Sequence, residues 1–333
     1  MFTCNTLQPS PQRLLRTLFQ RTTNTTKNST IKNFLAQDQK FSPPDQRFVA
    51  QDGLFPIKRT RNAYPVRYIS PIAHRLVANS TQPAFEVAAE LVTQLLYQCQ
   101  LLQHSADLSL PIDVVQGLTI QATSQGYIQF DFSDEAIANY FNYWLHLLPN
   151  NPVPPGSWSK LPFATAALHH RIFLLQHTHA RCCSLLRLAH EHHFIQLSPA
   201  TLENQSNYWQ IAVPTVLPWL TETRQFHTNH ATELQLIGQL VTVLDALTDW
   251  GADSLNSSTL PASRPKGAMT LLTVAEGLSQ AFHESHRCWQ LMGNLRTQAR
   301  DRLQAHLGLI LITQRLLYQL LYDQLAIEVP FQL

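Results

Sequence analysis

The chain has 333 residues, 44% of them apolar and 14% charged, with a net charge of +2. That length suits two domains, the apolar share suits a buried core, and the charge is well below the roughly 25% of an average domain. Only ten residues are glycine, which argues against a fold built on glycine-rich phosphate loops and favours helices. No apolar run approaches the ~18 residues of a membrane span. The five cysteines are odd in number and include no CxxC pair, which reads as free thiols in a reducing compartment. A cytoplasmic location is expected; the Arg, Thr and Asn content of the N-terminus also shares features with organelle transit peptides.

Residues 1–62 hold ten Lys or Arg against three Asp or Glu, a net of +7, so the rest of the chain carries −5. Residues 1–65 read as a basic, mostly disordered arm. Leu14, Leu15, Leu18 and Phe19 suffice for one or two amphipathic turns, and the tract TTNTTKNST after them cannot bury a core. Such an arm is an electrostatic handle for nucleic acid or another partner, or a solvated leader.

Residues 66–148 read as a small α+β domain. Ser70-Pro71 opens a helix, Ser as N-cap and Pro in the first turn, with Ile72, Leu76 and Val77 on one face. A second helix over 84–103 presents Phe85, Val87, Ala88, Leu91, Leu95 and Leu96 at period 3.6. Leu118, Ile120 and Ala122 alternate in a strand over 114–123. Gly126 turns the chain, and YIQFDF at 127–132 alternates as its partner. Ser133 then caps a helix to about residue 148. Residues 149–160, PNNPVPPGSWSK, form a Pro-rich linker.

Residues 161–333 read as an all-α bundle, so the fold class is mainly α with a small α+β domain in front. Helices are predicted over 161–193, with Phe163, Ala166, Ala167, Phe173, Leu185, Leu186 and Leu188 as apolar positions, and over 232–250, with Leu234, Ile237, Leu240, Val241, Leu244 and Leu247. Two more cover 269–292 and 296–325, the last the longest, with loops at 199–204 and 251–267. His169, His170, His190, His192 and His193 show neither HExxH nor zinc-finger spacing, so no metal site is expected. Cys182 and Cys183 are neighbours pointing apart. Without a GxSxG elbow or a nucleotide loop, no catalytic residue and no cofactor is expected.

Residues 176–187 read QHTHARCCSLLR. This resembles the pattern Gln-Tyr-Ala-His-Ala-Arg-Ile-Cys-Ser-Ile-Leu-Arg of the anticodon-binding (DALR) domain of arginyl-tRNA synthetase, and it matches at polar positions that periodicity alone does not produce. In the same order, ELQLI at 233–237, LSQAF at 278–282, Arg287-Cys288-Trp289, the helix over 309–321 and the tail AIEVPFQL at 326–333 resemble further family segments. Ala326 replaces a family Gly and Leu333 a Met. The segment from Ser70-Pro71 to Leu95 and the strand from Gly126 to Phe130 resemble that enzyme's additional N-terminal domain. Between the two, where the enzyme has its catalytic domain, stand only residues 149–160. The HIGH and KMSKS signatures are absent; His306-Leu307-Gly308-Leu309 lies in the last helix and Lys266-Gly267-Ala268-Met269 in a loop.

The resemblance implies a noncatalytic tRNA- or RNA-binding relative, touching the tRNA elbow and the anticodon stem-loop. Two other readings stand beside it: a regulatory or scaffold protein-interaction paralogue, which the −5 body favours, and an in-trans helper of arginyl-tRNA aminoacylation. Partners are then tRNA or another structured RNA, or a protein, and no membrane. Arg181, with His179 and Ser184 on the same helix, would meet a phosphate or base edge, or else hold helices together. Phe282, His286 and Trp289 form a stripe suited to base stacking, with Phe282 as core. Tyr127 and Gln129 lie on the strand that approaches the elbow in the family, and Leu333 ends the tail near the anticodon.

Overall fold

The computed structural model describes residues 10–25, 55–78, 82–103, 112–146, 166–202, 208–227, 230–256, 264–289, 300–325 and 327–332. The linker 149–160, Phe163 and Leu333 lie outside the described residues. The chain is mainly helical and divides into two compact units, Pro9–Tyr140 and Phe141–Leu333.

The first unit contains α1 (Pro11–Thr25), β1 (Lys58–Arg59), β2 (Arg67–Ser70), α2 (Ile72–Leu76), α3 (Ala84–Gln103), α4 (Ile112–Gln116), β3 (Leu118–Ala122), β4 (Ile128–Phe132) and the start of α5 (Asp134–His146). Its sheet has the order β1-β2-β4-β3, antiparallel throughout. Tyr68, Phe130 and Ile120 stand opposite one another in one buried row. Strict alternation in β4 sends Ile128, Phe130 and Phe132 inward.

Two segments depart from the expected arm. Helix α1 buries Leu14, Leu15, Leu18 and Phe19. Phe19 meets Phe130 edge-on at 5.6 Å and stacks on Phe55 at 5.6 Å. Leucines and a phenylalanine at i, i+1, i+4 and i+5 make a full apolar stripe, and α3 packs against it. Phe55 and Ile57 are also buried, beside the strand β1. Ten to 25 and 55 to 65 are therefore folded, and three of the arm's basic residues, Arg13, Arg16 and Arg21, sit on α1.

Ser70 ends β2 rather than capping a helix; Pro71 takes the cap position, and the Ser70 hydroxyl accepts from the Ile72 N–H at 3.4 Å. Helix α3 has the expected bounds, but its buried face is Val87, Ala88, Leu91, Leu95, Cys99 and Leu102, while Phe85 and Leu96 face solvent. Val114 and Val115 lie in α4, not in a strand. Gly126 turns the chain at φ 81°, where a Cβ would come within 2.7 Å of Ala84. The Ser133 hydroxyl caps α5 by accepting from the Ala136 N–H at 3.1 Å.

The second unit holds the end of α5, then α6 (Ala166–Glu191), β5 (Gln196–Leu197), α7 (Pro199–Leu202), β6 (Ile211–Val213), α8 (Ala231–Asn256), α9 (Arg264–Trp289) and α10 (Arg300–Tyr318), which runs on into a π-helical turn, Gln319–Gln324. The bundle is not purely helical: β5 and β6 pair as an antiparallel ribbon. Helices α8 and α9 each run into the expected loop 251–267, to Asn256 and from Arg264. At 19 residues α10 is shorter than α6, α8 and α9, at 26 each. It is the centre of the unit. Every residue from Leu303 to Tyr318 is buried, the polar Gln304, His306, Thr313, Gln314 and Arg315 among them, because α6, α8 and α9 all pack on it. Gly308 lets the Trp219 indole lie against this helix; a Cβ there would meet the ring at 2.4 Å.

Candidate nucleic-acid interface

Helix α6 carries the segment 176–187, and its polar side chains divide between two faces. On the first face Gln176, His179, Cys183 and Arg187 recur at helical spacing. Gln176 Nε2 donates to the Glu328 carbonyl at 2.7 Å, His179 Nδ1 lies 3.0 Å from the Pro330 carbonyl, and Arg187 Nη1 donates to the Phe331 carbonyl at 3.2 Å. Three rungs thus bind the C-terminal tail to the helix. Phe331 fills the gap between them: it stacks on Trp209 at 6.1 Å and on Tyr318 at 6.3 Å, and Arg187 lies over the Trp209 ring at 4.9 Å.

A carbonyl only accepts, so His179 Nδ1 carries the proton and donates to Pro330. Its Nε2 then accepts from Gln314 Nε2 at 2.9 Å. Burial pushes the His179 pKa down to about 4, against the opposing pull of the Pro330 carbonyl, so the ring is neutral at pH 7. Beside it, burial drives the Cys183 thiol up to about 12 and the Cys182 thiol well above its usual range, so neither is a nucleophile at neutral pH.

The second face lies along α9. Arg171 forms a two-pronged ion pair with Glu276. Two turns on, the Thr178 hydroxyl sits 2.6 Å from that of Ser279 and 3.0 Å from His283 Nε2, and the His177 ring stacks against His283 at 6.4 Å. The rungs keep a constant offset in sequence, so α6 and α9 run in the same direction. Beyond them Arg181 and Arg287 are exposed, and among the described residues neither has an ion-pair partner. Their charge acts on the neighbouring imidazoles. Burial first, then Arg181, His177 and Arg287, lowers the His283 pKa; burial, then Arg181 and His283, lowers that of His286 to about 4. At neutral pH this end of the seam therefore presents two free guanidinium groups over uncharged rings, a cationic patch of the kind that meets phosphate.

The structure separates the expected contact residues. Arg181 and Ser184 are exposed on α6, with the Ser184 hydroxyl donating back to the Ala180 carbonyl at 3.0 Å. His286 is half-buried on the same seam. His179 is fully buried and holds the tail, so it cannot reach RNA. Trp289 is 1% exposed and stacks on His306 at 4.9 Å, so it is core rather than a base platform, as is Phe282. His306 in turn lies 3.1 Å from Glu233, whose other oxygen caps the start of α8 through the His230 N–H. In the first unit, Tyr127 is half-buried against His74 at 4.8 Å, and Gln129 donates to Asp131 at 2.6 Å. His283 and Arg287 join the patch without having been singled out; their i, i+4 spacing on a helix was the available signal.

No family model, curated protein or solved structure matches the chain. Among the described residues, no three His, Cys, Asp or Glu side chains gather closely enough to hold a metal ion, and no helix is long and apolar enough to cross a membrane.

Proposed function

We propose that the chain is a noncatalytic RNA-binding relative of arginyl-tRNA synthetase, with its helical unit placed on the anticodon stem-loop of a tRNA and its α+β unit on the elbow. One observation carries this reading. The polar residues of segment 176–187 split into a set that holds the tail (Gln176, His179 and Arg187), a pair that meets α9 (His177 and Thr178) and a set left open to a ligand (Arg181 and Ser184). Two segments that resemble the same family domain, 176–187 and 326–333, are thereby bonded to each other, which a chance resemblance would not require. The Arg181 and Arg287 patch supplies the phosphate contacts; the exposed Ser184 hydroxyl and the half-buried His283 and His286 rings supply shorter-range polar contacts. Without the HIGH and KMSKS signatures, the chain performs no adenylation.

The test has two arms. Purified protein is titrated with total tRNA and, separately, with an unstructured RNA of equal length. Preference for tRNA, with an affinity that falls steeply with salt, supports the reading. No binding to either RNA at low salt rejects it and leaves the protein-interaction reading, which the net negative body favours. In the same preparation, arginine-dependent ATP–pyrophosphate exchange is expected to stay at the level of a no-enzyme control.

A further inference from the structure

A cavity of about 210 Å³ opens inside the unit Phe141–Leu333, between the end of α5, the β6 region and α10. At ~30 Å³ per water it holds roughly seven waters, or a ligand of about half a dozen heavy atoms. Its walls are apolar at Leu145, Ile211, Leu217 and Leu311. Its polar side chains are Asn142, His146, Gln210, Thr215 and Arg315, and no carboxylate lines it.

Arg315 is the decisive group. It is 3% exposed and lines the cavity from the centre of α10. Its Nε donates to the Trp209 carbonyl at 2.6 Å and its Nη1 to the Leu145 carbonyl at 2.7 Å. These use two of the five N–H groups of a guanidinium, and among the described residues no carboxylate pairs with it. Burial lowers its pKa, with the Tyr208 phenol acting the other way, yet only to about 10, so the charge remains at neutral pH. A buried, uncompensated cation is costly unless a counter-charge joins it. Asn142 adds a second donor. The Trp219 indole N–H can only donate, and it donates to Asn142 Oδ1 at 2.7 Å. That fixes the amide orientation and frees the Asn142 NH₂ group, on the cavity wall, to donate to a ligand.

We propose that this cavity binds a small organic carboxylate, the carboxyl group on the Arg315 guanidinium and the Asn142 amide nitrogen, the hydrocarbon body against Leu145, Ile211, Leu217 and Leu311. A fork of guanidinium donors matches a carboxylate's two oxygens, and the apolar walls disfavour a bare, heavily hydrated ion.

The full chain is titrated with butyrate, with butyramide as the neutral isostere and with inorganic phosphate, while the Trp219 indole N–H is followed by NMR. Butyrate is expected to shift that resonance saturably, and butyramide and phosphate to leave it in place. Arg315→Gln is expected to weaken butyrate by about tenfold or more, the effect of losing a charged hydrogen-bond partner. Because Arg315 is buried, its variant can fail by unfolding, so Thr215→Trp at the exposed mouth provides the second check: it should block binding with the melting temperature unchanged. An equal response to butyramide, saturation by phosphate instead of butyrate, or full butyrate binding by a folded Thr215→Trp protein would each overturn the assignment.

Discussion

The two faces of α6 use the same residue types for opposite ends. On one, Gln176, His179 and Arg187 are spent on the carbonyls of the tail. On the other, Arg181 stands exposed beside Arg287 with no ion-pair partner among the described residues. A matched polar segment is therefore not uniformly a binding surface. Where the chain itself supplies the acceptors, a histidine and an arginine are architecture; where it does not, an arginine is left for something else. The comparison can be broken by variants that treat the faces differently.

The largest effect belongs to the core beneath the seam. Trp289→Ala removes a buried indole from its stack on His306 and should destabilise the protein by about 3–5 kcal/mol in a denaturant melt. RNA affinity of the protein that remains folded should not change. A loss of affinity with full stability would return Trp289 to the role of a base platform.

His179→Ala comes next. It leaves the Pro330 carbonyl and the Gln314 amide without their partner, and each such buried group costs about 1–3 kcal/mol. Loss of tail protection in hydrogen exchange, centred on residues 327–332, should accompany it. The same histidine sets an acid response. Its folded pKa, about 4, lies below the 6.5 of the unfolded ring, so the unfolded chain takes up the proton first. Stability is then full above pH 6.5, falls as the pH drops, and levels off below about 4. A shift of that size corresponds to on the order of 3 kcal/mol, and the slope should become shallower by that share in His179→Ala, leaving the part that His283 and His286 contribute. Persistence of the whole slope there would assign it to other groups.

These contrasts also show what the sequence could and could not reveal. The bounds of α3 and the strand β4 were legible because long runs held one period, 3.6 or 2. Helix α1 was not, although its apolar stripe was visible: the neutral-polar tract after it suggested an arm, and only packing against α3 and Phe130 makes it core. Four residues of β2 between Pro65 and Pro71, and the two or three of β5 and β6, are too short for periodicity to register. Arg181 and Ser184 are contact candidates from the motif, and the structure leaves both exposed. Trp289 was misread because its neighbours Arg287 and Cys288 are polar and exposed; a helix turns 100° per residue, so the next side chain faced inward. The cavity cation was signalled only by an arginine set among leucines and isoleucines in α10, a pattern equally compatible with a structural role. Because α1, Phe55 and Ile57 belong to the first unit's core, removing residues 1–62 would disrupt that unit and would not isolate the contribution of a basic arm.

The smallest effect on stability is expected where the effect on function is sharpest. Arg181→Ala and Arg287→Ala change exposed side chains and should each alter stability by no more than about 0.5 kcal/mol. Each should lower the magnitude of the salt dependence of RNA binding by about one unit of log affinity per log salt. The double variant therefore gives the most direct measurement of the central claim: titration of tRNA into wild-type and Arg181→Ala/Arg287→Ala protein at two salt concentrations, with melting temperatures recorded on the same samples. The expected result is unchanged melting, affinity reduced by about tenfold or more at low salt, and a salt slope flatter by about two. Equal affinity and equal slope in the two proteins would contradict an RNA-binding role for the open face of α6.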